Sequence, residues 1–138
     1  MTAARSIWRL SPDGSRDALE KVIAIFIRTK SEANARDHWR AKAKRVKQQR
    51  LTVRLVVQGH LSGSEVPCDV TLVRLAPSAG LDDDNLRSSL KAIRDGVADA
   101  LGIDDRDPRV GWHYEQRRSK PRVWGVEIRI LPRITDSR

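Results

Sequence analysis

The chain has 138 residues, a single cysteine, and 27 lysines and arginines against 18 aspartates and glutamates, for a net charge of +9. This length suits one domain over residues 1–138 with a core that needs no staples, and the lone Cys68 excludes an internal disulfide and points to a reducing, cytoplasmic setting. No apolar run nears the roughly 20 residues of a membrane span and the opening MTAARSIWRLSPDG has no apolar signal segment, so no membrane partner is expected, whereas the basic balance favours a polyanion.

In chain order, Ile7 to Leu10 reads as a short strand, and Ser11-Pro-Asp-Gly14 as a turn. Lys21 to Thr29 is rich in β-branched residues and reads as a strand. Thr29 and Glu32 have capping-box spacing. From Ser31 the segment SEANARDHWRAKAKRVKQQR predicts a helix whose apolar stripe is Trp39, Ala43 and Val46. Leu51–Gln58 either continues that helix or forms a strand. Cys68 to Leu75 reads as a strand, and about Asp84 to Leu101 as one helix with Leu86, Leu90, Ile93, Val97 and Leu101 on its buried face. Strands at about Val110–Tyr114 and Val123–Leu131 flank a basic loop, Glu115 to Pro121. The order β-α-β-α-β-β predicts a small α+β domain, a mixed sheet with two main helices packed on it.

Against the basic background the acids cluster. Asp82, Asp83, Asp84, Asp95, Asp99, Asp104, Asp105 and Asp107 all fall around the second helix. Magnesium takes oxygen ligands, commonly a few carboxylates with waters, and phosphodiester hydrolysis uses such an ion to activate water and stabilise phosphoryl charge. A helix of about 17 residues is roughly 25 Å long, so Asp82 and Asp84 can meet Asp104 and Asp105 only across a bend, a neighbouring strand or a dimer interface. The competing reading is structural. Aspartate caps helix starts and is favoured by the helix dipole there, and Asp-Asp-Arg-Asp-Pro is good turn composition.

The ordered set Asp82-x-Asp84-Asn85-Leu86, Lys91, Asp95 and Asp104-Asp105, with Val110 soon after, resembles the RusA-like crossover-junction endodeoxyribonucleases (Holliday junction resolvases), frequent on phages and prophages. The motifs cover about residues 68–130; upstream, only the element order agrees. The resemblance implies a homodimeric, Mg²⁺-dependent nuclease (Mn²⁺ also serving) that cleaves branched DNA. It implies metal ligands at Asp82, Asp84, Asp104 and Asp105, and catalytic roles for Asp82, Asp84, Asp105 and Lys91. One departure stands out: the family's lysine falls four residues after the second motif acid, where this chain has Ser88. Lys91 aligns if Arg87-Ser-Ser89 is an insertion, which also brings Asp95 into register. On a continuous helix Asp84, Ser88, Lys91 and Asp95 share a stripe, from which Lys91 reaches the phosphate or leaving oxygen. Its competing role is that of a solvated helix lysine.

Arg36, Arg40, Lys42, Lys44, Arg45, Lys47 and Arg50 make the first helix basic, and Arg117, Arg118 and Lys120 form a second patch. The DNA-contact residues expected from them are Arg36, Arg40, Lys44, Lys47, Arg117, Arg118 and Lys120, tracking phosphates without reading bases. Trp8, Trp39, Trp112 and Trp124 are expected in the core or an interface, Cys68 in a buried strand, and His38, His60 and His113 at surface or turn positions. There is no Walker A loop, zinc-finger spacing or dinucleotide turn, so no nucleotide cofactor is expected. Two further functions stand beside the junction resolvase: a non-catalytic nucleic-acid-binding module on the same fold, kept open by Ser88, and a nuclease for other branched nucleic acids.

Overall fold

A computed structural model describes residues 4–10, 19–30, 38–63 and 65–133. Its elements are β1 (Ala4–Leu10), β2 (Leu19–Ile25), α1 (Trp39–Gln58), β3 (Cys68–Ala76), α2 (Asp83–Ser89), α3 (Lys91–Leu101), β4 (Val110–Arg118) and β5 (Gly125–Pro132). The strands form a five-stranded mixed sheet ordered β1-β2-β5-β3-β4, antiparallel except for the parallel pair β3–β4. The fold is α+β, as expected. The turn at Ser11–Gly14 and the Glu32 half of the capping box lie outside the described residues, and the helix expected to run from Ser31 instead starts at Trp39, because His38 takes an extended conformation and caps it.

Alternation along the strands gives the sheet one helix-covered face. Ile23 and Ile25 of β2, Cys68, Val70 and Leu72 of β3, and Val126, Ile128 and Ile130 of β5 join one core with Val53 and Val57 of α1 and Leu90, Ile93 and Val97 from the second helical region. Lys21 is also buried, donating to the His60 carbonyl and lying 3.7 Å from Glu65. Burial pushes its ammonium below the usual lysine range, although Glu65 opposes that shift. The opposite sheet face carries charge: Arg129 is 2.6 Å from Glu127, 3.7 Å from Glu20 and 3.9 Å from Glu115.

α1 continues through Leu51 to Gln58, so that stretch is helix. Its buried residues are Gln49, Val53 and Val57, and the expected stripe Trp39–Ala43–Val46 is displaced towards the C-terminal half. The valine-rich run from Leu51 onward offers more branched apolar surface than Trp39 and Ala43, so it takes the core. Trp39 is left 67% exposed, which corrects its expected place in the core; it stacks on His38 and lies under Arg40. α1 packs directly on α3 at Gly96, where an added Cβ would lie 2.6 Å from the Arg50 carbonyl oxygen and 2.8 Å from Val53 Cβ.

The expected continuous helix over 84–101 is two helices, α2 and α3, joined at Leu90 with φ −106° and ψ 4°. The buried Ser89 hydroxyl donates to the Leu86 carbonyl at 2.7 Å, and Leu90 N–H bonds to the carbonyl of Arg87 at 3.2 Å. Such short-range bonds tighten a turn and compete with the α-helical ladder, while Leu90 itself is drawn fully into the core. β4 extends to Arg118, so Arg117 and Arg118 stand on a strand and the basic loop is shorter than expected.

Candidate functional site

Parallel neighbours such as β3 and β4 require a crossover, and α2 and α3 supply it. The two acid groups therefore flank that crossover, Asp82–Asp84 before it and Asp104–Asp105 after it. β4 fastens both flanks. The Gln116 amide accepts from Leu81 N–H at 2.8 Å and donates to the Leu81 carbonyl at 2.6 Å, next to Asp82. Trp112 Nε1 donates to the Asp105 carbonyl at 3.0 Å. From residue 112 to residue 116 a strand rises about 13 Å, so a neighbouring strand relates the two groups without bringing them into one cluster.

Asp82 caps α2: its carboxylate accepts from Asn85 N at 2.8 Å and from Asn85 Nδ2 at 3.1 Å. Asp83 and Asp84 occupy the exposed first turn of α2. At the other flank, Asp104 Oδ1 accepts from Arg106 N at 2.8 Å. Lys91 opens α3 and is held between two acids, with Nζ 2.9 Å from Asp95 Oδ1 and 3.6 Å from Asp105 Oδ2. Its hydrogen bond to Asp95 holds its ammonium above the usual range, with Asp105 adding to the shift. Burial pushes the Asp105 carboxyl up, but the charges of Lys91 and Arg94 outweigh that and leave it below the ordinary aspartate range. The break at Leu90 also means that Asp84, Ser88, Lys91 and Asp95 do not share one helix.

Among the described residues, no group of three or more His, Cys, Asp or Glu side chains is placed to hold a metal ion. The described residues thus offer no three-carboxylate cage. A hard cation with one or two carboxylates, completed by water and phosphate oxygens, does fit: Asp104 and Asp105 are adjacent, and the Asp105 carboxylate is half-buried, ionised and only loosely ion-paired.

Asp105 and Lys91 line a cleft of about 700 Å³ between α1, the α2–α3 region and β4. Lys42, Arg87, Arg94 and Arg106 add positive charge, and Val46, Ala92 and Tyr114 supply apolar wall. Of the residues expected at DNA, Arg40, Lys44 and Lys47 are exposed on α1, Arg117 and Arg118 are exposed on β4, and Lys120 is exposed just beyond it. Arg117 is committed to Glu127 at 2.6 Å. Arg36 lies outside the described residues. Of the cleft's cations, Lys42 belongs to the basic helix expected to face phosphate, whereas Arg87 and Arg106 were not among the residues expected.

Arg94 and Gln116 were not anticipated either. Arg94 donates to the Tyr114 hydroxyl at 2.8 Å and to the Asp105 carbonyl at 2.7 Å, with its guanidinium 4.8 Å from the Trp112 ring centre. The one available signal was alternation: Trp112, Tyr114 and Gln116 share a strand face. Trp112 stands on a strand as expected and is half-buried; Trp124 is also half-buried, with Arg28 over its ring at 4.5 Å. His38 caps α1, His60 follows it at a turn, and His113 is exposed 3.3 Å from Asp69. Cys68 is buried, which pushes its thiol up to about 11. Trp8 lies on β1, whose side chains are outside the description. No described helix is long and apolar enough to cross a membrane.

No protein-family model matches the chain. A protein of Xylella fastidiosa (strain Temecula1 / ATCC 700964), named "Uncharacterized protein", is 42% identical over 79 residues, which cover 53% of this chain and 52% of that protein. The chain thus spans about half the length of the curated relative it matches. Among solved structures, the OmpA-like domain of FopA1 from Francisella tularensis subsp. tularensis SCHU S4 aligns over 98% of this chain and 84% of its own, at 16% identity and a TM-score of 0.37, which does not establish a common fold.

Proposed function

We propose that the chain is a Mg²⁺-dependent, structure-specific endonuclease that cuts branched DNA, acting as a homodimer on four-way junctions in the manner the resemblance implies. The observation that carries this reading is Lys91 lying 3.6 Å from the half-buried Asp105 carboxylate in a cleft whose other charged lining residues are cations. A lysine held by acids on a basic surface suits a phosphodiester better than a neutral or cationic substrate. Lys42, Arg87 and Arg106 bind the phosphates flanking the scissile bond, and their charge positions the backbone without reading sequence.

Asp105 and Asp104 are the residues that would hold Mg²⁺, which when bound supplies water activation and charge stabilisation at the phosphoryl group. Lys91 is charged and held by Asp95, so its ammonium stays aimed at the cleft and offsets negative charge that builds on the phosphate. Asp82 serves as the α2 cap and sets the start of that helix. Asp84 is exposed and free to meet DNA-bound cations or a second copy of the chain.

The competing reading is a non-catalytic nucleic-acid-binding module. Two observations favour it: the lack of a three-carboxylate cage among the described residues and Ser88 at the family's lysine position. Cleavage of a labelled four-way junction separates the two, with matched duplex as control. The nuclease predicts Mg²⁺-dependent junction cleavage that falls by at least about 100-fold in Asp105→Asn, beyond the 10–100-fold loss typical of a metal site's outer partners. Asp84→Asn, measured beside it, reports whether that exposed acid takes part. Tight junction binding by wild type without cleavage in Mg²⁺ or Mn²⁺ assigns the chain to the binding module.

A further inference from the structure

We propose that Arg94 is a positioning residue for Asp105: it locks that residue's backbone while leaving its carboxylate available to a cation. The role assigned to Asp105 rests on the nuclease reading above. Arg94 Nη2 and Trp112 Nε1 both donate to the Asp105 carbonyl, at 2.7 and 3.0 Å, so both lone pairs of that oxygen are used. The two donors also hold each other, since the guanidinium lies over the Trp112 ring at 4.8 Å. Nη1 ties the same group to the Tyr114 hydroxyl at 2.8 Å. Turning Arg94 away therefore breaks contacts to α3's neighbouring loop and to two residues of β4 at once.

The carboxylate is treated differently. Its Oδ2 lies 3.5 Å from Arg94 Nε and 3.6 Å from Lys91 Nζ, distances of charge attraction rather than of good hydrogen bonds. Arg94 Nε is buried without a hydrogen-bond partner and faces Oδ2 through charge attraction alone, so Arg94 takes up none of the carboxylate's hydrogen-bonding capacity. A lysine cannot reproduce this, because the arrangement needs a planar group with donors on two edges and a face that stacks. Partners of this kind tune metal-binding carboxylates, and losing one typically weakens metal affinity about 10–100-fold.

The test is Mn²⁺ titration calorimetry on the full chain without DNA, beside Mg²⁺-dependent junction cleavage, for wild type, Arg94→Lys and Tyr114→Phe. Arg94→Lys is expected to bind Mn²⁺ about 10–100-fold more weakly and to need correspondingly more Mg²⁺ for half-maximal cleavage, at unchanged KM for DNA. Tyr114→Phe removes one anchor with little threat to folding and is expected to shift both quantities less, in the same direction. Wild-type Mn²⁺ affinity in both variants overturns the proposal and leaves the nuclease reading intact. Mn²⁺ binding by wild type without cleavage of any branched substrate overturns the nuclease reading alone, and the affinity shift in the variants still decides on Arg94. Absence of Mn²⁺ binding by wild type overturns the proposal, and Mg²⁺-dependent junction cleavage then decides the nuclease reading by itself.

Discussion

Arg50 and Asp99 join α1 to α3 through two hydrogen bonds, Nε to Oδ2 at 2.7 Å and Nη2 to Oδ1 at 2.9 Å. The side chains remain 49% and 27% exposed, so solvent screening limits the pair to about 0.5–1 kcal/mol. The hydrogen bonds from Arg50 hold the Asp99 carboxyl below its usual range. A carboxylate lowered in the folded state stabilises above its unfolded pKa, about 4 for aspartate, and the contribution is lost as pH falls through the lower folded value. Asp99→Asn should therefore lower the unfolding free energy from urea denaturation near neutrality by that amount, and the gap from wild type should close once pH drops below the folded value. Midpoints measured across that range check it; a gap independent of pH would mean that charge is not what the pair contributes. At this scale the sequence showed the acids but not their partners. Asp99 looked like one member of a metal-binding cluster, yet its carboxylate is engaged by an arginine on the other helix.

At the scale of elements, Gly96 is where α1 and α3 touch. Alanine normally gains about 1 kcal/mol over glycine in a helix interior, yet here its Cβ would meet the Arg50 carbonyl oxygen at 2.6 Å, a backbone atom that cannot rotate aside. Overpacking of this kind costs about 1–3 kcal/mol. Gly96→Ala is thus expected to lower stability by up to about 2 kcal/mol by urea denaturation; a gain would show that the helices can part at no cost. Strand positions and the long second helical region were legible because period-2 and period-3.6 patterns report which side faces apolar surroundings. The break at Leu90 was not. Leu86, Leu90, Ile93 and Val97 keep helical spacing through it, and only the Ser89 hydroxyl bond and the turn at Leu90 reveal two helices. Trp39 misled for a related reason: it fits one stripe of α1, while the valines further along present more surface to the same core.

For the whole molecule, the net charge of +9 predicts salt-sensitive binding to DNA, and the cleft shows where to probe it. Lys42 lines that cleft from α1. If it meets a phosphate, Lys42→Ala should weaken junction and duplex binding alike and lower the slope of log affinity against log salt by about 1. Anisotropy titrations over a salt series measure this, and an unchanged slope would place Lys42 away from the backbone. The sheet's other face offers a contrast: Arg117 and Arg129 are committed to Glu127 there, so basic residues counted equally in the sequence differ in what they can offer a polyanion.

Composition and local pattern determined the α+β class, the strand-rich core, the basic character and the crowding of acids around one helical region, because each depends on residues close together in the chain. Tertiary structure alone decided which charged groups meet. Lys91 and Asp105 meet because the chain turns back after α3, Arg94 reaches across to Trp112 and Tyr114, and Gln116 holds the loop before Asp82 from 35 residues away. The cause is the parallel pairing of β3 and β4: their crossover sends the two acid groups to separate flanks and makes β4 the strand that fixes both. Hydrophobic periodicity records which face of each element is buried, but not which strand edge the next element will meet.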